Sequence, residues 1–298
     1  MTDFFDAAKW EQAWKNDPHT GVNKMKAAGI DTTHAFDYKA VSFNKEVFSD
    51  EGKRRTKRIM NWIEGQGVRF QDATVLDIGA ASGGFSVPFA ERGAIVTAVE
   101  PCLPLAELLY DNIKQAGEGG GTVTVVKEPF EEIDIDARGW RKKFDLVFVS
   151  MCPVITDWES VEKVMSCAKQ FCYISLPAGT MENSLKNEIF PLVTDQPHKH
   201  ENMEMAYLLH LLYLKGYAYE SIVTREAKTT VVDHAKALQD AMVWLGKHDQ
   251  QLDEGTKTIV ADYLERTYPS GQVVVHEGGR YGKVLVRLQD QSMYTREQ

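Results

Sequence analysis

Residues 75–101 constrain the fold more than any other stretch of this 298-residue chain. They open with Val-Leu-Asp-Ile-Gly-Ala-Ala-Ser-Gly-Gly-Phe, continue through a segment able to start a helix over Ser86–Glu91, and close with Ile-Val-Thr-Ala-Val-Glu-Pro. One short apolar run stops at a glycine-rich turn. A second, Ile95–Val99, ends in an acid. That order reads as a β-turn-α-β unit with a carboxylate at the tip of its second strand. Glycines let backbone N–H groups approach a ligand, because no Cβ intervenes. Glu100 at the strand tip is placed to accept hydrogen bonds from both hydroxyls of a ribose. A nucleoside-bearing cofactor is the expectation; the competing reading is a glycine turn that holds no ligand.

Two cofactor classes use this geometry. Gly79-Ala80-Ala81-Ser82-Gly83-Gly84 fits the dinucleotide pattern G-x-G-x-x-G with one glycine missing. Asp77-Ile78-Gly79-Ala80-Ala81-Ser82-Gly83 resembles the D-x-G-x-G-x-G loop of class I S-adenosylmethionine-dependent methyltransferases, with Ala81 replacing the middle glycine. In that family the acid holds the loop and approaches the methionine amino group of the cofactor, which assigns that role to Asp77. The dinucleotide pattern does not call for this acid, and a carboxylate beside a pyrophosphate repels it.

Two further segments extend the resemblance, which covers residues 53–177. Strand-like Val-Thr-Val-Val-Lys runs into Glu128-Pro129-Phe130. In the family the third strand ends similarly, and the acid or the next N–H contacts the adenine amino group while a neighbouring side chain covers the ring. Pro129 has no N–H to offer, and a solvated Glu128 ahead of a helix start is the alternative. Residues 146–149 read as a buried parallel strand. It runs into Ser150-Met151-Cys152-Pro153, where the family places residues beside the transferred methyl group. Enzymes that methylate a base amine often show Asn or Asp before Pro-Pro-aromatic here, so the sequence speaks against a nucleic-acid amine. The implied cofactor is S-adenosyl-L-methionine. The implied cofactor-binding set is Asp77, Gly79, Ala80, Ala81, Ser82, Gly83, Glu100, Pro101, Glu128, Pro129, Phe130 and Ser150.

The fold expected is α/β: a doubly wound, mainly parallel seven-stranded sheet with an antiparallel closing strand and helical cap elements. Residues 1–49 are expected to form an N-terminal helical cap or lid, residues 50–180 the Rossmann-like core, and residues 181–298 helical insertions with closing strands. Residues 172–176 read as a fifth strand, and 218–223 with 283–288 as a closing pair. Residues 9–15, 50–64, 103–115 and a long stretch over 233–268 read as helical. Residues 50–58 hold the strongest basic run, read as the solvated face of a helix with Ile59, Trp62 and Ile63 inward; a phosphate-binding role is the alternative. The glycine-rich 117–121 reads as a surface turn.

A net charge of −9 argues against a general polyanion binder, so no nucleic-acid partner is expected. No run approaches 18 apolar residues, so no membrane span is expected. The N-terminus lacks a basic region followed by an apolar core. The four cysteines, Cys102, Cys152, Cys167 and Cys172, make no C-x-x-C pair, which fits a reducing cytoplasm.

Catalytic candidates are few. Cys152 follows the fourth strand, near where an acceptor would sit, but a nucleophile needs a lowered pKa; a half-buried inert thiol is the alternative. Tyr207 and His210 lie on an apolar helical segment that either covers the acceptor or only packs. The Met and Tyr residues of 179–213 carry the same ambiguity. His198 and His200 lack further ligands to make a metal site, and none is expected. His19, His34, Phe36 and Tyr38 belong to a segment able to fold over the cofactor. The function expected is methyl transfer to a small-molecule acceptor, with a nicotinamide-dependent oxidoreductase or a non-catalytic cofactor-binding module as rivals.

Overall fold

The computed structural model describes residues 4–31, 33–34, 36–117, 121–194, 202–246 and 254–290. Its centre is a seven-stranded sheet in the order β3-β2-β1-β4-β5-β7-β6. The strands are β1 (Thr74–Ile78), β2 (Ile95–Val99), β3 (Thr122–Val126), β4 (Phe144–Ser150), β5 (Ala168–Asn183), β6 (Ala218–Asp233) and β7 (Gln272–Arg287). The first five run parallel, and β7 lies antiparallel between β5 and β6. The sheet is therefore mainly parallel with an antiparallel closing strand, as expected. Its order reverses between β1 and β4, so the crevice at the carboxyl ends opens above those two strands.

Helices cover both faces, as an apolar parallel sheet requires. On one side α4 (Asp50–Gly65), α5 (Ser86–Glu91) and α6 (Leu103–Ala116) bury Ile59, Met60, Ile63, Phe89 and Leu109 against Val75, Phe148 and Tyr173. The basic run lies on the outer face of α4 as expected, with Met60 joining Ile59 and Ile63 inside. On the other side α1 (Ala7–Asn16), α7 (Trp158–Ser166) and α9 (Glu204–Leu214) bury Trp14, Val161, Val164, Leu208 and Leu211 against Leu76, Val147 and Val149. Helix α7 begins where Asp157 and Ser160 satisfy each other's backbone N–H in a capping box.

The antiparallel strands depart from expectation. Each of β5, β6 and β7 has 16 residues, against five or six read from the sequence. Their outer halves extend past an irregularity between Pro177 and Met181. The polar run Thr-Arg-Glu-Ala-Lys-Thr-Thr in β6 hid this, because no apolar alternation marks a ribbon with water on one face. A second apolar core sits on the extension. Helices α8 (Ser184–Val193), α10 (His234–Gly246) and α11 (Glu254–Thr267) pack Leu185, Ile189, Ala241, Leu245, Val260 and Leu264 on Val273 and Val275. Among the described residues of 233–268, helix spans His234–Gly246 and Glu254–Thr267.

Residues 4–47 form a strap. Helix α1 packs on α7 and α9, and α3 (Ala40–Val47) packs on α6 and α4 at the opposite face. Between them lies α2 (Gly21–Ala27). The chain therefore crosses over the carboxyl edge of the sheet. Among the described residues, no helix is long and apolar enough to cross a membrane.

Leu264 is fully buried in the second core. Leu264→Ala should cost about 2–5 kcal/mol of stability, read from the midpoint shift in urea at unchanged slope.

Candidate cofactor site

The glycine loop after β1 takes positive φ at three positions. Gly79 and Gly83 have φ of 73° and 92°, and Ala81, at the place of the motif's middle glycine, has φ of 49°. Alanine in that region costs about 1–2 kcal/mol, so something must hold it. The Ala81 N–H donates to Glu100 Oε2 at 2.8 Å, and Cys102 N–H donates to Glu100 Oε1 at 2.9 Å. Glycine is needed on either side of Ala81 for close approach. A Cβ on Gly79 would run into Cys152, and one on Gly83 into Leu109.

Two buried acids lie at this loop. Asp77 is 2 % exposed and accepts from Ser86 Oγ at 2.6 Å, tying β1 to the start of α5. Burial pushes the Asp77 carboxyl up to about 7, against the opposing pull of the Ser86 bond. Burial also raises Glu100. Each Glu100 oxygen has spent one of its two lone pairs and can accept again. The Ser82 hydroxyl is fully buried and unpartnered among the described residues. A loop with spare acceptors, an orphaned hydroxyl and two carboxylates fits a nucleoside carrying a cationic group. It does not fit a pyrophosphate.

The strap lies on this loop. Phe36 and Phe43 pack with Ala40, Ala81, Cys102 and Leu105. Cys102 Sγ donates to Asp37 Oδ1 at 3.2 Å, and Asn112 Nδ2 donates to both Asn44 Oδ1 and Ser82 O at 2.8 Å. Asp37 and Asn112 were not singled out in the sequence. The signal for Asn112 was a polar residue on the inward face of an apolar helix. Of the strap residues named there, His34 pairs with Asp37 at 2.9 Å, which raises its pKa, His19 N–H donates to Asp17, and Tyr38 is exposed.

Pro101 follows Glu100 at the loop, half-buried. Glu128 is exposed and bound by Arg138 at 2.5 Å. Pro129 caps a short turn, Phe130–Glu132. Phe130 is 2 % exposed within the core, with Lys163 above it. Ser150, at the tip of β4, shares a hydrogen bond with Ser175 at 3.1 Å.

The catalytic candidates are placed as follows. Cys152 sits against Gly79, and burial pushes its thiol up to about 12, the direction opposite to that of an activated thiolate. Tyr207 stacks on Trp14 and donates to Asp17 at 3.2 Å. His210 contacts the Phe4 carbonyl at 2.9 Å and packs edge-on to Trp10. Both face α1, since α9 turns that side towards the strap. His198 and His200 lie outside the described residues. Among the described residues, no group of three or more His, Cys, Asp or Glu is placed to hold a metal.

No family model matches the chain, and no curated protein sequence is significantly similar. Solved structures overlap it at low identity. The YcgJ protein from Bacillus subtilis is 13 % identical, with 80 % of this chain and 100 % of that chain covered, at TM-score 0.48. Magnesium protoporphyrin IX methyltransferase from Synechocystis, with bound S-adenosylhomocysteine, is 14 % identical over 73 % and 92 %, at 0.44. Precorrin-6y C5,15-methyltransferase from Geobacter metallireducens is 14 % identical over 80 % and 88 %, at 0.41. None of these overlaps bears on the acceptor. The strand order and the loop carry the fold assignment. The fold is that of the class I methyltransferases.

Burial raises Cys102 and Cys167 to about 11, and Cys172 higher still. With Cys152 protonated too, a disulfide reagent at pH 8 should react slowly with the native protein and titrate all four thiols of the sequence once it is unfolded.

Proposed function

We propose that this protein is an S-adenosyl-L-methionine-dependent methyltransferase acting on a small-molecule acceptor by in-line displacement. The observation that carries the reading is the pair of buried carboxylates, Asp77 and Glu100, at a left-handed glycine loop. A buried acid favours a ligand that brings positive charge to it, and this cofactor has both an ammonium and a sulfonium. When bound, it supplies an activated methyl group.

In this reading the chain's own residues hold and exclude. Glu100 accepts from ribose hydroxyls with the lone pairs it has left. Asp77 faces the ammonium. Ser82 Oγ donates to the carboxylate, and the glycine backbone lies along the methionine portion. Pro101, Ala80, Glu128 and Pro129 flank the nucleoside. The strap over Ala81 and Ser82 keeps water out and acts as a lid over residues 50–180. Alignment of acceptor and donor in such an enclosure is worth about 7–11 kcal/mol in favourable model systems, and a base is needed only for an acceptor protonated at neutral pH. The closed carboxyl edge and the net charge of −9 favour a small acceptor over a nucleic acid. A cytoplasmic location is part of the proposal, because four free thiols suit a reducing compartment.

Calorimetry with S-adenosylhomocysteine and NAD tests the reading against a nicotinamide oxidoreductase. S-adenosylhomocysteine should bind and raise the melting temperature by linkage. Binding of NAD alone would overturn the proposal. Turnover across an acceptor panel separates an enzyme from a module that only binds the cofactor.

The pH dependence gives a second check. An acid with a raised folded-state pKa holds its proton more tightly in the native protein. Its contribution to stability is therefore complete below its unfolded value of 3.8 and lost as pH rises through about 7. Facing an ammonium, Asp77 must be ionised. S-adenosylhomocysteine affinity should then fall about tenfold per pH unit below 7 and level off above it, and Asp77→Asn should flatten that profile.

A further inference from the structure

Strand β6 forms one edge of the sheet, and among the described residues it pairs with β7 alone. The pairing is unbroken from Ala218 to Asp233, with no shift of register. A free edge of that length is a template for another strand, and proteins usually blunt one with a proline, a bulge or outward charges. This edge has no proline and no bulge. Its two cations are engaged within the chain, Arg225 with Glu182, and Lys228 with Glu46 and Glu277. Ile222, Val223 and Val231 are left exposed on it, and Val274, opposite Val231 on β7, is exposed beside them.

The order of residues along this edge is self-complementary. Two copies related by a two-fold axis pair antiparallel with one residue facing its own copy. With Ala227 at the axis, residues equally far on either side of it meet. Glu226 then faces Lys228 of the second copy, Arg225 faces Thr229, Thr224 faces Thr230, Val223 faces Val231 and Ile222 faces Val232. Opposite charges and β-branched pairs placed directly across are stabilising, and like charges are destabilising. The neighbouring symmetric registers fail on that test. Centring on Glu226 sets two glutamates face to face, and centring on Lys228 sets two lysines face to face. Ala227 is itself exposed and lies across from Gly278, so the axis carries no bulk. Val223 of the second copy extends the exposed row of Val274 and Val231, and so covers apolar groups that a single chain leaves in water.

We propose that β6 is a homodimer interface, in which residues 222–232 of two copies pair antiparallel about Ala227 and join the sheets edge to edge. This pairing rests on the fold alone and is independent of the cofactor.

At micromolar concentration, light scattering after size exclusion should give the wild type twice the mass of one chain. Ala227→Glu and Ala227→Lys each set like charges at the axis, and each should run at the single-chain mass with unchanged circular dichroism. Mixed in equal amounts, the two should return to the doubled mass, because Glu then faces Lys. A short thiol cross-linker should join Ala227→Cys chains in pairs. It should leave Val231→Cys chains single, because the second copy of that residue sits opposite Val223, roughly 26 Å along the strand. A single-chain mass for the wild type overturns the proposal. So do charged variants that keep the doubled mass, or a mixture of folded variants that does not regain it. If either charged variant does not fold, the cross-link decides: no pairing through Ala227→Cys overturns the proposal, as does equal pairing through Val231→Cys. A failure to bind S-adenosylhomocysteine removes the methyltransferase reading and leaves these outcomes unchanged.

Discussion

The carboxylate of Glu100 accepts from the N–H groups of Ala81 and Cys102 at 2.8 and 2.9 Å, and the carboxyl edge of the sheet is organised around it. The first bond holds an alanine in a left-handed conformation. The second sets where α6 begins. Through Leu109, α6 then limits Gly83, and through Asn112 it reaches the carbonyl of Ser82 and the side chain of Asn44. Loop, helix and strap therefore share one acidic group. Burial raises its proton affinity, against the pull of the two N–H donors.

The parallel half of the fold was legible in the sequence, because buried strands there are unbroken apolar runs ending at glycine or an acid. Residues 75–78, 95–99 and 146–149 announce themselves this way. The antiparallel half was legible only where it joins the main core. Beyond Pro177 and Val223 the strands are half polar, and their pairing is set by cross-strand partners distant in sequence, such as Lys228 opposite Glu277. Local pattern contains no trace of such partners.

Legibility of the site divides the same way. Asp77, Gly79, Gly83 and Glu100 follow from chain geometry, and the structure brings them together. Ser82 joins them through its buried hydroxyl. Phe130 reads both ways, since an aromatic after a strand looks the same whether it covers a ligand or fills a core. Tyr207 and His210 read both ways for a related reason: their helix is mostly apolar, and the N-terminal segment, nearly 200 residues earlier, decides which side is occupied. Asp37, Asn44 and Asn112 were invisible because their roles arise from a tertiary clip.

The sixteen-residue strand β7 threads both apolar cores, with Val284 and Val286 in the main one and Val273 and Val275 in the outer one. A strand that slips by one residue turns every side chain to the opposite face. Here a slip would empty two cores at once, so alternative pairings are excluded twice over. The same continuity makes the two cores difficult to separate during unfolding. Amide protons along β7 should therefore report on both, and a perturbation in the outer core has a direct covalent route to the strand beside Ser175.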